Sequence, residues 1–199
     1  MANDALECQL EPKSKVLDED QMLAAAARQD TEAAARIFDK YYSEILGYIF
    51  HCTFDTTVAE DLTSNVFLAV FQNLDRYNWR QIPFRAWIFR IATNEVRMHW
   101  RKQKRIKFIS IQQDGKEFVA VHSATSNIEA VEEYSLLHKA LLELQLKYRT
   151  VIILRYFESK TIAEICQITA RKEGTVKAQL HRGLAKLQNI LVQWGVLPE

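Results

Sequence analysis

The sequence predicts an all-α protein made of two small helical domains. Glycine and proline are scarce, five and three among 199 residues, which leaves little to punctuate short strands and tight turns. Nearly every apolar segment repeats at three- and four-residue spacing, the period of a helix face. Three such segments open on a Ser or Thr followed three residues later by glutamate, the capping-box pattern: Thr57 with Glu60, Ser126 with Glu129 and Thr161 with Glu164.

Residues 1–17 show no periodicity and are expected to be mobile. A first domain then spans residues 18–105. It begins with a short Ala-rich helix around residues 22–28, and a longer helix follows from Thr31, with Ile37, Phe38, Tyr41, Ile45, Tyr48 and Ile49 on its inner face. A third helix is expected from Thr57, with Leu62, Val66, Phe67, Val70 and Leu74 inward. The loop DRYNWRQIP ends at Pro83, a residue suited to a helix start. On the helix beyond it, Phe84, Trp87, Ile88, Ile91 and Met98 share the side assigned to the core. Phe89, Thr93, Arg97 and Trp100 lie opposite and lead into RKQKRIK.

Residues 106–125 break this pattern. KFISIQQDGKEFVAV alternates loosely about an Asp-Gly pair, so a small hairpin and an extended linker are both open readings, and either makes a domain boundary. The second domain, residues 126–199, starts with a helix through Val131, Tyr134, Leu137, Leu141 and Leu144, followed by the apolar run TVIILRYF. Thr161 caps a short helix carrying Ile162, Ile165 and Ile168 inward. A longer one starts near Glu173 with Val176, Leu180, Leu184, Leu187 and Leu191 inward. Together these two read as a helix-turn-helix.

Composition excludes several classes of function. The run VIIL at 151–154 is far too short to cross a bilayer, and the acidic N-terminus lacks the basic start of a secretory signal, so a cytoplasmic address is expected. Three widely spaced cysteines without a CxxC argue against a disulfide framework and against zinc. No paired acids, Gly-rich phosphate loop or HExxH suggests an enzyme, and no cofactor or metal is expected. The net charge is only +1, but its distribution is uneven: residues 84–107 hold eight Arg or Lys against the single acid Glu95.

Two constellations point to nucleic acid. On the last helix, the face opposite the core carries Gly174, Thr175, Ala178, His181 and Arg182, flanked by Lys177 and Lys186. Arg182 can donate twice to a guanine edge, Ala178 can meet a thymine methyl, and Lys172 or Lys177 can neutralise phosphate. The plain alternative is a solvated basic face. On the helix after Pro83, aromatics beside cations suit unpaired bases, which stack on rings while the cations follow the backbone. The preceding Tyr77, Asn78, Trp79, Arg80 and Gln81 could cradle a base turned out of its stack. The plain alternative there is that Phe89 and Trp100 pack under the N-terminal helices.

Duplex reading at one end and single-strand capture at the other is the combination a promoter-opening factor needs. Over roughly residues 34–105 and 130–192 the chain resembles a bacterial RNA polymerase sigma factor of the extracytoplasmic-function class of the sigma-70 family. VAEDLTSNVFLAVFQNL and FRAWIFRIATN resemble that family's second conserved region, and LRYFESKTIAEICQITARKEGTVKAQLHRGLAKLQ resembles its fourth. The resemblance implies that Asp61, Leu62, Ser64, Asn65 and Phe67 dock on the clamp helices of the largest polymerase subunit. It implies that Tyr77, Asn78, Trp79, Arg80, Gln81, Arg85, Phe89, Arg90, Asn94, Arg97, Trp100 and Arg101 open and hold the minus-ten element. Arg171, Lys172, Gly174, Thr175, Lys177, Ala178, His181 and Arg182 would read the minus-thirty-five element, their domain leaning on the polymerase flap. Residues 106–125 would thread the RNA exit path. Core polymerase and promoter DNA are thus the implied partners, with an anti-sigma protein as a further one.

The sequence departs from the family pattern at several points. Ser64 and Asn65 stand where a Gln-Glu pair is usual, which keeps open the alternative of a stand-alone duplex-binding regulator that has lost polymerase docking. Glu95 replaces an apolar residue and must reach an arginine or the surface. Ala170, Arg171 and Lys172 replace a turn glycine, an aliphatic residue and a capping serine.

Overall fold

The computed structural model describes residues 13–78, 81–114 and 128–198, and every element in them is helical. The elements are α1 (Lys13–Ala26), α2 (Thr31–Thr53), α3 (Thr56–Gln72), a single 3-10 turn (Leu74–Arg76), α4 (Phe84–Asp114), α5 (Ile128–Glu143), α6 (Leu146–Ile152), α7 (Ile162–Thr169) and α8 (Glu173–Gln193). Directly after α6 the backbone widens into one π-type turn, Ile153–Phe157.

Local chemistry accounts for most of the boundaries. Asp30 caps α2 by accepting from the Glu32 N–H at 2.8 Å, and Phe54 ends that helix in the left-handed region with φ 53°. The expected capping box at Thr57 does not form. Asp55, two residues earlier, accepts from the Val58 N–H at 3.0 Å, and α3 therefore starts at Thr56. A carboxylate already satisfying the free N–H groups leaves Thr57 nothing to cap. The box between Thr161 and Glu164 is formed in full. The box expected at Ser126 lies outside the described residues, as do residues 1–12 of the N-terminus expected to be mobile. Lys13 onward is helical, earlier than the Ala-rich segment indicated.

The apolar stripe of α2, Ile37, Tyr41, Ile45, Tyr48 and Ile49, is fully buried, and α3 packs along it with Leu62, Val66, Phe67 and Val70. In the C-terminal half, Val151, Ile152 and Leu154 meet Ile165, Ile168, Val176, Leu180 and Leu187. A Cβ at Gly183 would lie 3.0 Å from Ile152 Cδ1 and 3.2 Å from Tyr148 Cβ, so glycine lets α8 cross α6 closely.

Three corrections concern α4. The helix continues through Asp114, so residues 107–114, one arm of the hairpin alternative, are helical; the rest of that alternative lies outside the described residues. Met98, assigned to the core, is 52 % exposed. Phe89 and Thr93, assigned to the outer face, are buried. The cause is long-range. α4 packs not only on α1, α2 and α3 but also on α7, so two sides of the helix are covered.

The halves of the chain are joined by buried polar contacts. Arg149 donates to the Cys52 carbonyl of α2 at 3.0 Å, and also to those of Leu142 and Leu144. Lys160 is buried and reaches Glu44 of α2, which also binds Arg85 of α4. His51 of α2 meets His138 of α5 at 3.2 Å among Phe50, Phe54, Tyr134 and Phe157. Because His138 Nδ1 lies 2.8 Å from the Tyr134 carbonyl, Nδ1 is the protonated nitrogen, and Nε2 accepts from His51 Nδ1.

Candidate nucleic-acid and polymerase interfaces

The polymerase-docking residues separate into two sets. Leu62 and Phe67 are core residues of α3, 7 % and 3 % exposed, whereas Asp61, Ser64 and Asn65 form its outer face. Sequence reasoning missed Leu68 on that face, 56 % exposed, although its place off the buried stripe was legible. Phe38 of α2 extends the patch, its ring 4.7 Å from that of Phe67. Ser64 donates to the Glu60 carbonyl within its own helix. The result is a short apolar and polar strip with one carboxylate, suited to docking a helical partner.

The region before and along α4 is more built-in than its sequence indicates. Tyr77 is buried: its ring lies edge-on to Phe84 at 5.0 Å and its hydroxyl donates to the Ile82 carbonyl. Burial, followed by the negative charge of Asp20, pushes its pKa up to about 12, so it remains a neutral structural phenol rather than a base-stacking ring. The Asn78 carbonyl accepts from the Gln81 N–H, closing the loop, and Gln81 is exposed. Trp79 and Arg80 lie outside the described residues. Arg85 is held by Glu44 through Nε and Nη2.

Phe89 is fully buried against Tyr48, with the Lys160 ammonium 4.3 Å above its ring. Thr93 sits between the Phe89 carbonyl and the Tyr48 hydroxyl. Arg90 donates through Nε and Nη2 to the Gln167 carbonyl at the end of α7. Trp100 is half-buried under the Arg149 guanidinium at 4.6 Å, and its indole Nε1 is buried without a hydrogen-bond partner. Asn94, Arg97 and Arg101 remain exposed, Arg97 donating to Asn94 at 3.4 Å. Glu95 is half-buried, and loss of water raises its pKa. Of the twelve residues proposed from sequence for single-strand capture, Gln81, Asn94, Arg97 and Arg101 stand open in this arrangement, Arg85 is exposed but engaged, and Arg90 is half-buried and engaged.

The helix-turn-helix presents its outer face as expected. Val176, Leu180, Gly183 and Leu187 are buried, and Lys172, Gly174, Thr175, Lys177, His181 and Arg182 are exposed. Thr175, Ala178, Gln179 and Arg182 line a shallow groove with Lys147 and Tyr148 of α6. Lys177 pairs with Glu173 at 2.6 Å, an exposed one-turn contact that phosphate could replace. The turn before α8 is unusual. Ala170 adopts the left-handed conformation, φ 54° and ψ 42°, where a glycine is relaxed, and Lys172 gives no side-chain cap. Arg171 is half-buried rather than free for DNA. It donates to Gln179 at 2.7 Å and ties the turn to the second turn of α8. Burial, followed by repulsion from Arg97, lowers its pKa.

Among the described residues no group of three or more His, Cys, Asp or Glu is arranged to hold a metal ion. Cys52 is buried and free, its thiol pushed up to about 12 by loss of water, which makes it unreactive.

Comparison with known proteins finds two family regions along the chain. Residues 37–106 match sigma-70 region 2 and residues 134–187 match sigma-70 region 4, together more than half of the chain. The extracytoplasmic-function sigma factor SigW of Bacillus subtilis is 29 % identical over 170 residues, covering 81 % of this chain and 90 % of that protein. SigL of Mycobacterium tuberculosis is 26 % identical, covering 87 % and 97 %. Among solved structures, CnrH in complex with the cytosolic domain of CnrY has the same fold, with a TM-score of 0.66 at 22 % identity, covering 87 % of this chain and 97 % of that one. The sigma factor RpoE of Bartonella quintana, bound to the anti-sigma factor NepR, gives 0.57 at 22 % identity, covering 89 % and 97 %. With region 2 on α2–α4 and region 4 on α5–α8, in that order, the chain belongs to the extracytoplasmic-function class of the sigma-70 family of RNA polymerase sigma factors.

Proposed function

We infer that this protein binds core RNA polymerase and directs promoter-specific transcription initiation through two DNA-reading surfaces. The observation that carries this reading is the presence of both family regions in one chain. A stand-alone duplex-binding regulator needs the helix-turn-helix but has no use for region 2. In the proposed division of labour, the strip Asp61, Ser64, Asn65 and Leu68 meets the polymerase clamp, with Leu62 and Phe67 shaping it from beneath. The loop 77–83 and the cations of α4 hold the opened minus-ten strand. Arg182, His181, Thr175 and Ala178 read the minus-thirty-five duplex, with Lys172 and Lys177 on phosphate. We assign Arg171 to positioning α8 through Gln179 rather than to a base.

The domain division follows the same reading: residues 18–105 serve the polymerase and the minus-ten element, and residues 126–199 the minus-thirty-five element. Residues 115–125, after the end of α4, belong to the connection between them. The work is cytoplasmic, and among the described residues no helix is long and apolar enough to cross a membrane. An anti-sigma protein is a proposed partner, supported by a neighbour of the same fold that was solved with one bound.

The test is run-off transcription with purified core polymerase and a library of genomic fragments. Discrete start sites that depend on this protein are expected, and their upstream sequences give the promoter. A protein that binds core yet yields no new start sites on any fragment would remove the initiation reading.

A further inference from the structure

Part of the face of α4 that the proposed function assigns to single-stranded DNA is covered by the chain's own C-terminal half, while Asn94, Arg97 and Arg101 stay open. Gln167, at the end of α7, takes the Arg90 guanidinium through its carbonyl. Lys160, in the segment leading into α7, lies over Phe89, and Arg149 lies over Trp100. All three are region 4 residues resting on the region 2 residues that sequence reasoning selected for strand capture. One carboxylate gathers the arrangement. Glu44 is half-buried on α2 and accepts from Arg85 of α4 and from Lys160, whose side chain is only 6 % exposed. Lys160 is 116 positions from Glu44 in the chain, so the contact exists only when the two halves are closed.

We infer that Glu44 and Lys160 form a latch that keeps the free chain closed, with α7 and its leading segment seated on the strand-binding face of α4. A buried ammonium and its carboxylate make such a latch selective, because once Glu44 is removed the buried Lys160 keeps only the pull of Glu158, a carboxyl that burial shifts toward its neutral form. The closed form also brings Arg171 near Arg97, two cations whose mutual repulsion opposes closure. Initiation requires the latch to open, since Arg90 cannot serve Gln167 and a phosphate together. This inference rests on the assignment of α4 to the opened strand.

The experiment compares the full-length free chain with Glu44→Gln, Glu44→Lys, and Glu44→Lys combined with Lys160→Glu. Small-angle X-ray scattering reads closure, and fluorescence anisotropy with a labelled mixed-sequence single strand of about twelve nucleotides reads access to α4. Circular dichroism checks that helix content is kept. The single substitutions should enlarge the radius of gyration and tighten single-strand binding about tenfold, by removing the fraction of closed molecules that cannot bind. The charge exchange should return both values toward wild type. Should Glu44→Lys fail to fold, Glu44→Gln carries the comparison alone. Identical dimensions in wild type and single variants overturn the latch, as does expansion without any gain in single-strand binding. Run-off transcription with core polymerase keeps the two readings apart: variants that initiate normally while failing these tests overturn the latch and leave the sigma assignment intact.

Discussion

α8 and α4 are both basic helices assigned to DNA, yet they are held in opposite ways. α8 buries one narrow stripe and leaves Thr175, Lys177, His181 and Arg182 open to solvent. α4 is covered on two sides, by α1–α3 and by α7, and its most distinctive aromatic, Phe89, is fully buried. A helix packed on one side displays its function on the other. A helix packed on two sides keeps only its remaining edges for a ligand, here Asn94, Arg97 and Arg101, unless a neighbour moves away.

The largest expected effect tests that contrast directly. Phe89→Ala removes a fully buried ring that packs on Tyr48 beneath Lys160, and it should destabilise the protein by about 3–5 kcal/mol. Chemical denaturation with unchanged slope would measure it. If Phe89 were instead an exposed stacking ring, stability would hold and only strand binding would fall, and the two-sided picture of α4 would be wrong.

Arg182→Ala comes next and belongs to the open helix. It should leave unfolding unchanged and weaken minus-thirty-five recognition by about 1–3 kcal/mol, with relaxed preference at one base pair. Promoter variants scanned against the substituted protein would show which position loses discrimination. A loss spread evenly over all sequences would instead mark Arg182 as a phosphate contact.

These two helices also explain what was legible in the sequence. The inward stripe of α8 and the capping box at Thr161 depend on residues three or four apart, so local reading suffices except at Leu184, placed inward but exposed. The same holds for the buried stripe of α2 apart from Phe38, which is exposed at its edge. Phe89 and Thr93 were misplaced because they pack on Tyr48 of α2, a long-range contact that spacing within α4 does not reveal, and Met98 is left exposed. Tyr77 was drawn into the site by its aromatic neighbours, but its hydroxyl had a partner in Ile82 that spacing does not reveal. Glu44, Arg149 and Lys160 gave no signal: each is an ordinary charged residue until the fold brings it to a carbonyl or an opposite charge. The departures at Ala170–Lys172 were visible, whereas the replacement tie from Arg171 to Gln179 was not.

Ala170→Gly sharpens the comparison at the turn into α8. Glycine relaxes the left-handed conformation, so a gain of about 1 kcal/mol in stability is expected. If Arg171 and Gln179 are what hold the start of α8, promoter choice should not change. Altered choice would show that the alanine turn itself sets the angle of the reading helix.

The smallest effect concerns pH, because two partly buried sites act in opposite directions. Loss of water, followed by repulsion from His138, lowers the His51 pKa to about 4, and burial also lowers that of His138. For these bases the folded value lies below the ordinary value near 6.5. Their contribution is therefore complete above pH 6.5 and is lost as pH falls toward 4. Glu158 has the reverse sign. Burial raises its pKa to about 7, against the favourable pull of Lys160, so its contribution is complete below the ordinary carboxylate value and is lost as pH rises through 7. Between roughly pH 4.5 and 6.5 the two slopes offset, and the wild-type Tm should change little. Glu158→Gln removes one slope, and its Tm should then fall by about 3 °C or more as the pH is lowered through that window. Replacing both histidines with glutamine should reverse the sign, with Tm rising toward acid. A flat profile in Glu158→Gln would mean that the histidines accept protons in place, and the neutral pair joining α2 to α5 would have to be abandoned.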